Sequence, residues 1–291
     1  MKMHKLKNNY CEVVTNGPSL ISFKINKNDI NYEILGYDLE NFVSSFIMAP
    51  WVNRIKEGIF NSKKGSINLL NSHPLSSQFK HAIHGTVLFS NWELINKNKN
   101  SLEMKTNLSE PWPFKGNLKS KISIGEKYIT QKLTIFNDDN EIMPFSMGWH
   151  PWFKRTLSSG EIEIKFDSQY KWEISDELPT SKKIKSSEID KFKNGYSPAP
   201  ETLDDCYRIK DGSNVLLKWP ELTLNLKSSY ECGHLVIYTP PEPNSDLLCV
   251  EPQSSTINSF QLDQESVSDT GILFVEPKKD YSVSTKWSWE Q

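Results

Sequence analysis

LTLNLK, at residues 222–227, alternates apolar and polar side chains at every step. Successive side chains of an extended strand point to opposite faces, so this alternation predicts a strand with one buried and one polar face. The same two-residue period recurs in ISFKI at residues 21–25 and in IEIKF at residues 162–166, and a further β-rich run covers residues 128–136. These segments predict a protein built mainly from half-buried strands.

Turn signals lie between these strands: NG at residues 16–17, KEG at 56–58, NDDN at 137–140 and DGS at 211–213. Long helical periodicity is absent, and the one helix we expect is short, at residues 187–193. We therefore predict an all-β fold with two large sheets packed face to face and few short helices. No Pro/Gly/Ser-rich linker divides the chain, so we expect residues 1–291 to form a single catalytic domain.

Composition excludes several classes of partner. The 291 residues carry a formal net charge of -2, with scattered Lys and Arg, so we expect no nucleic-acid partner. No apolar run reaches the length of a signal peptide or a membrane span, so we expect no membrane association. The four cysteines are widely spaced without a CxxC pair, which indicates reduced thiols and a cytoplasmic protein.

Four segments place a functional side chain beside rigid or aromatic residues: APWVNRI at residues 49–55, HAIHG at 81–85, GWHPWF at 148–153 and CVEPQ at 249–253. His150 precedes a proline and lies among aromatics, so it is either a packed, hydrogen-bonded histidine or a general acid. Glu251 follows an apolar run, and an unpaired buried carboxylate is costly. It is therefore either a strand end paired with a lysine or a general base in a cleft.

Other residues of these segments leave alternatives open. Arg54 can fix a turn through carbonyl contacts, and His81 and His84 can join His150 and Glu251 in a metal site, although a lone His-x-x-His is a weak metal signal. The adjacent acids Asp204 and Asp205 point to opposite faces of a strand, which argues against a glycosidase carboxylate pair. No GxSxG elbow or glycine-rich phosphate loop is present.

Taken in order, these segments resemble the aldose 1-epimerase (galactose mutarotase-like) family. The resemblance rests on NRI at residues 53–55, His84-Gly85 with Trp92, HPWF at residues 150–153, LDDCY at residues 203–207 and Glu251-Pro252. It runs from about residue 50 to residue 255 and implies a large antiparallel β-supersandwich with the site in an open cleft. Each motif alone is weak, and the order of all five carries the resemblance.

The resemblance implies that the chain interconverts the α and β anomers of a free aldohexose. His150 is then the general acid that protonates the ring oxygen, and Glu251 is the general base that takes the proton of the C1 hydroxyl. Arg54, His84 and Asp204 are expected to hold the sugar hydroxyls, with Asp204 preferred over Asp205. We also expect Asn53 and Trp152 to bind the substrate. The resemblance implies no metal and no cofactor, a small-molecule sugar as partner, and a monomer or homodimer.

Two positions depart from the family pattern, because Trp152 stands where tyrosine is usual and Gln253-Ser254 where Met-Thr is frequent. Both departures affect the shape of the substrate pocket and neither removes a catalytic group.

Three alternative functions follow from the same residues. These are a non-catalytic carbohydrate-binding protein, a phosphohexose mutarotase with cations such as Lys56, Lys154 or Arg155, and a metal-dependent enzyme using His81, His84 and His150. The loops at residues 71–80 and 240–246 are expected to select the sugar.

Overall fold

The computed structural model describes residues 2–37, 43–72, 79–185, 187–210 and 214–290. Its first half contains the strands β1 (Met3–Lys7), β2 (Cys11–Asn16), β3 (Ser19–Lys27), β4 (Ile30–Glu33), β5 (Ser45–Met48), β6 (Arg54–Ile55), β7 (Ile59–Ser62), β8 (Gly65–Asn68), β9 (Ala82–Ile83), β10 (Glu93–Lys97), β11 (Ser101–Asn107), β12 (Gly116–Ile124) and β13 (Tyr128–Asn137). Its second half contains β14 (Met143–Phe145), β15 (Gly148–Lys154), β16 (Glu163–Lys165), β17 (Ser168–Ser175), β18 (Leu178–Ile184), β19 (Asp204–Ile209), β20 (Val215–Lys218), β21 (Thr223–Ser228), β22 (His234–Tyr238), β23 (Leu247–Gln253), β24 (Leu273–Val275) and β25 (Asp280–Trp289).

Helices are few in the described part of the chain. The α-helices are α1 (Ser187–Asn194) and α2 (Ser259–Gln264), and short 3-10 turns cover Lys56–Gly58 and Leu70–Ser72. The predicted helix at residues 187–193 is thus confirmed as α1. None of the described helices is long and apolar enough to cross a membrane.

The four strands expected from sequence are confirmed as β3, β13, β16 and β21. β16 is shorter than the alternating IEIKF segment, because only its three central residues pair with β20. The predicted turn at residues 211–213 lies outside the described residues.

Two large antiparallel sheets dominate the fold. The first has eleven strands in the order β1-β2-β3-β5-β15-β23-β22-β19-β17-β18, with β4 paired to β3, and the second has eight in the order β10-β11-β12-β13-β25-β21-β20-β16. Three small two-stranded sheets, β14-β24, β6-β9 and β7-β8, complete the described pairings. The all-β supersandwich expected from the sequence is confirmed.

The largest hydrophobic cluster lies between the two sheets. In this cluster, Leu235 and Leu248 come from the eleven-stranded sheet, and Leu224 and Trp287 come from the eight-stranded sheet. Leu133, also of the eight-stranded sheet, belongs to a neighbouring cluster. All five side chains are fully buried. Face-to-face sheets pack about 10 Å apart through such interdigitating side chains, so this cluster holds the two sheets together.

The central strands of the eleven-stranded sheet are buried on both faces. Every residue of β23 is buried, as are all but the last residues of β15 and β22. One face packs on the eight-stranded sheet, and loops and the small sheets cover the other. Because side chains alternate along a strand, the residues next to the core leucines of β23 point toward this covered outer face. The candidate site lies there.

Candidate active site

The strand register brings His150 and Glu251 together. In the antiparallel pair of β15 and β23, Gly148 lies opposite Gln253 and Trp152 opposite Cys249. The same register places His150 directly opposite Glu251, on one face of the sheet. His150 Nε2 lies 3.2 Å from Glu251 Oε1, and both side chains are almost completely buried. Two residues about a hundred positions apart in the chain thus form one close pair.

A second row of side chains crosses the same face one step along the strands. Trp152 of β15 lies opposite Cys249 of β23, which lies opposite Tyr238 of β22, which in turn lies opposite Asp204 of β19. The Trp152 ring stacks on the His150 ring with centroids 5.3 Å apart, and it meets Tyr238 edge-on at 6.1 Å. The row supplies an aromatic wall on one side of the His150–Glu251 pair.

The small β6-β9 sheet brings Arg54 over this face. Arg54 Nη1 lies 3.2 Å from Asp204 Oδ2 and 3.3 Å from Asn53 Oδ1, and Arg54 Nε lies 3.6 Å from Glu177 Oε2. Asn53 has a φ of 49°, a left-handed conformation that asparagine tolerates better than most residues. The side chain of Asn53 thereby accepts from the Arg54 guanidinium and helps to orient it.

The two adjacent acids of β19 point to opposite faces, as the sequence predicts. Asp204 faces the cavity and Arg54. Asp205 pairs with Lys171 Nζ at 3.0 Å and accepts from the Tyr207 hydroxyl at 3.2 Å. Asp204 is therefore the acid placed to contact a ligand.

His84 reaches the site from a strained turn. Its φ is 60°, and a Cβ on the following Gly85, whose φ is 79°, would lie 1.9 Å from the Ala49 carbonyl oxygen. Only glycine fits this close backbone approach. The His84 ring lies edge-on to His150 with centroids 5.0 Å apart, and His84 Nδ1 lies 3.0 Å from Met48 Sδ.

These residues surround a cavity of about 250 Å³. Its described lining residues are Asn53, Arg54, Phe79, Ile83, His84, His150, Trp152, Asp204, Tyr238, Pro240, Pro241, Glu242, Pro243, Asn244 and Glu251. Sites for drug-sized ligands measure about 300–1,000 Å³, so this cavity suits a smaller molecule with several hydrogen-bonding groups. All seven site residues expected from the sequence line it together. The loop at residues 240–246 contributes five lining residues, while most of the loop at residues 71–80 lies outside the described residues.

Burial determines the charge state of the central pair. Burial, with a smaller contribution from the nearby Arg54 charge, lowers the pKa of His150 to about 3. Burial also raises the pKa of Glu251 well above its usual value, with an added contribution from Asp204, while Arg54 opposes the shift. Both groups are therefore shifted toward their uncharged forms, a neutral imidazole and a protonated carboxyl. A protonated carboxyl is a proton donor and a neutral imidazole is a proton acceptor, so the pair offers one of each.

The structure does not bring His81, His84 and His150 together as a metal site. His81 Nδ1 accepts a hydrogen bond from the Glu57 backbone N–H at 3.0 Å, so this ring nitrogen is already engaged in holding a turn. Among the described residues, the group with metal-ligand spacing is His150, Cys249 and Glu251, without His81 or His84.

Sequence reasoning missed three neighbours of the pair. The Phe46 ring stacks on His150 with centroids 4.6 Å apart, Tyr238 walls the cavity, and Cys249 lies beside Glu251. Phe46 and Tyr238 follow from the pairing of β5 with β15 and of β22 with β23, which a single sequence does not specify. Cys249 carries a signal, because it lies two residues before Glu251 and so shares its face.

Comparisons with known proteins agree with this geometry. A family model described as aldose 1-epimerase matches residues 2–287. A putative aldose 1-epimerase from Escherichia coli K12 has a similar structure, with a TM-score of 0.84 and 15% identity over 99% of each chain. A galactose mutarotase-like protein from Clostridium acetobutylicum gives a TM-score of 0.81 with 17% identity over 100% of this chain and 98% of its own. A galactose 1-epimerase from Lactobacillus acidophilus gives 0.72 with 15% identity, covering 99% and 94%. At these identities the structural likeness shows a shared fold.

Proposed function

The chain belongs to the aldose 1-epimerase family, and we propose that it is a mutarotase that interconverts the α and β anomers of a free aldohexose by acid-base catalysis. The observation that carries the proposal is the His150–Glu251 pair, 3.2 Å apart on the floor of a cavity about the size of one small ring. Isomerase activity on small sugars fits the family, and the assignment of this reaction to these two residues is our own.

An anomeric flip needs one proton donor and one proton acceptor. Breaking the bond between C1 and the ring oxygen requires a proton on that oxygen and removal of the proton from the C1 hydroxyl. In the proposed mechanism the sugar enters between the two residues and the carboxyl proton of Glu251 passes to His150. His150 then gives this proton to the ring oxygen, and the Glu251 carboxylate takes the proton of the C1 hydroxyl. Rotation about C1–C2 and the reverse transfers then close the other anomer. Each positioned group contributes about 10² to 10⁴ in rate.

The lining residues supply orientation in this proposal. Arg54, already fixed by Asn53 and Asp204, donates to sugar hydroxyls, and Asp204 accepts from them. His84 lies edge-on to His150 and contributes a further ring nitrogen. Trp152 offers an apolar face for the carbon side of the ring.

The cavity favours a neutral sugar over a phosphorylated one. Among its described lining residues Arg54 is the single Lys or Arg, and it shares the cavity with the acidic Asp204 and Glu242. Lys154 and Arg155 line a separate cavity. A phosphate dianion would thus meet more carboxylates than cations, and like charges disfavour its binding.

A non-catalytic carbohydrate-binding protein is the second candidate function. Aromatic walls and charged hydrogen-bonding groups would serve binding alone. The facing acid-base pair argues for catalysis, because burying two ionisable groups in contact is costly and adds little to sugar recognition.

Residues 1–291 act as one catalytic domain in this proposal, as a monomer or homodimer. We place it in the cytoplasm, where four buried thiols stay reduced.

Polarimetry tests the proposal. The optical rotation of freshly dissolved α-anomers of glucose, galactose and other aldoses is followed with and without the purified protein. We expect acceleration with at least one free sugar, little with the corresponding 6-phosphate, and a loss of about 10²-fold or more in Glu251→Gln. Glu103→Gln, the same change on β11 of the eight-stranded sheet, is the matched control and should keep the wild-type rate. Acceleration that survives in Glu251→Gln contradicts the mechanism, and sugar binding without acceleration supports the binding protein.

A further inference from the structure

Cys249 has no part in the proposed reaction, yet it lies beside both reacting groups. It shares the outer face of β23 with Glu251 and lies across from Trp152, next to His150. One ligand atom from each of His150, Cys249 and Glu251 lies within 4.8 Å of the other two. All three residues are buried, with exposures of 6%, 0% and 1%. An imidazole, a thiol and a carboxyl group thus lie close together, and two of them, His150 and Glu251, line the cavity.

We propose that these three side chains form an inhibitory zinc site, in which Zn²⁺ binds His150, Cys249 and Glu251 and blocks the sugar-binding cavity. The ion is an inhibitor here and takes no part in catalysis. The inference concerns metal binding, so it goes beyond the proposed mutarotase function.

The observed spacing is close to that of a tetrahedral site. Zinc lies about 2.0–2.2 Å from nitrogen and oxygen ligands and about 2.3 Å from sulfur, which places ligand atoms about 3.3–3.7 Å apart. The His150 Nε2 to Glu251 Oε1 distance of 3.2 Å already matches one edge of this tetrahedron. One ligand atom of each of the three residues lies within 4.8 Å of the others, so side-chain movements of about 1 Å would bring them to tetrahedral spacing.

A fourth position faces the cavity, because His150 and Glu251 both line it. Three protein ligands with an open fourth position that holds water are a common arrangement for zinc. Glu251 Oε2 is buried without a hydrogen-bond partner, so the carboxylate also has coordination capacity that the protein does not use.

The ligand set selects zinc over the abundant hard cations. Thiolate and imidazole favour zinc, whereas magnesium and calcium prefer oxygen ligands alone. Asp204 lines the same cavity as Glu251, and its negative charge would favour a cation at the site. Arg54 opposes a cation, but its guanidinium already pairs with Asp204.

Zinc binding would remove the acid-base function outright. The thiol proton of Cys249 and the proton shared by His150 and Glu251 leave to solvent, and no electron is transferred. The imidazole nitrogen and the carboxylate that should move protons are then both coordinated. We therefore expect zinc to compete with the sugar, because the ion and its bound water occupy the floor of the cavity.

Metal titration of the full chain provides the direct test. The reduced, chelator-treated protein is titrated with Co²⁺ as a spectroscopic probe, and Zn²⁺ is then added to displace it. We expect one Co²⁺ per chain, a thiolate-to-cobalt charge-transfer band and tetrahedral visible absorption, all lost on addition of zinc. Mutarotation should fall as zinc binds and return with chelator, while Mg²⁺ has no effect. This readout does not depend on mutarotase activity, so a failure of the proposed function leaves it interpretable.

The decisive variant is Cys249→Ser, which keeps the size of the side chain but removes the thiolate. We expect it to lose the charge-transfer band, to bind zinc at least about 10-fold more weakly, and to keep the zinc-free mutarotation rate. Cys232→Ser, a matched change at another buried thiol, should behave as wild type. Cys249→Ala is a second variant if the serine impairs folding, which circular dichroism would reveal. Wild-type zinc binding and inhibition in the Cys249 variants, or no stoichiometric metal in the wild type, would overturn the proposal.

Discussion

The two large sheets use their outer faces differently. In the eight-stranded sheet, β12 and β13 alternate buried residues with exposed or half-buried ones, so one face packs on the core and the other meets solvent. In the eleven-stranded sheet, the central strands β15 and β23 are buried on both faces. The first pattern is that of an ordinary antiparallel sheet, which can face water on one side. The second requires a cover over the outer face.

This difference between the sheets decides where buried ionisable side chains lie. On β23 the core-facing Leu248 and Val250 pack on the other sheet, while the alternating Cys249 and Glu251 point to the covered outer face, where Glu251 lines the cavity. The buried polar residues of the eight-stranded sheet, such as Gln131 and Thr285, carry no ionisable group. The eight-stranded sheet thus contributes mainly to stability, and the covered face of the eleven-stranded sheet holds the two buried ionisable groups with shifted pKa values, His150 and Glu251.

The largest expected effect removes packing from the eight-stranded sheet. Leu224→Ala deletes a fully buried side chain between the sheets, and such cavities cost about 2–5 kcal/mol in free energy of unfolding. We expect turnover per folded molecule to stay near wild type, because Leu224 points away from the outer face. Denaturant titration and polarimetry measure the two quantities. A Leu224→Ala variant that is stable but inactive would contradict the assignment of stability to one sheet and activity to the other.

The second effect removes the acid from the eleven-stranded sheet. His150→Ala should reduce kcat by about 10²-fold or more, since a positioned acid is lost. Thr285→Val, an isosteric change at a buried polar residue of β25, is the control and should change unfolding more than turnover. The proposed role of His150 is wrong if the two variants turn over sugar equally fast.

A third experiment compares neighbours on one strand. Asp204→Asn removes a carboxylate that faces Arg54 and the cavity, and we expect kcat/KM to fall by about 10-fold, the effect of about 1.4 kcal/mol. Asp205→Asn weakens the contacts with Lys171 and the Tyr207 hydroxyl on the opposite face, so its kcat/KM should stay unchanged. An equal loss of kcat/KM in both variants would show that activity does not depend on which carboxylate faces the cavity.

The smallest effect concerns pH. The lowered pKa of His150, about 3, means that this residue takes a second proton only in strong acid. The raised pKa of Glu251 means that the pair keeps its single proton well above pH 4.5. After subtraction of the spontaneous reaction, kcat/KM should therefore change by less than about 2-fold between about pH 7 and pH 5. An acid limb near about pH 6.5, the value for unperturbed histidine, would show that burial does not control the pair.

Much of the fold was predictable because a half-buried strand has apolar and polar residues in alternation, and this alternation is visible in the sequence. The alternation at residues 21–25 and 222–227 marks β3 and β21, and it depends only on which side of a local strand meets the core. The pairing order of the sheets is different, since β5, β15 and β23 are neighbours in space but far apart in the chain. Their order follows from packing that no local pattern encodes.

The site divides in the same way. By itself the sequence determined the all-β class, the residue types available for chemistry and the opposite directions of Asp204 and Asp205, because each follows from covalent order and a two-residue period. Only the tertiary structure decided that His150 lies opposite Glu251, that Phe46 and Tyr238 flank them, and that Cys249 joins the pair. The registers of β5 against β15, of β15 against β23 and of β22 against β23 set these contacts, and burial of that face then shifts both pKa values. Register and burial are properties of the whole packed sheet, so they arise only when distant strands come together.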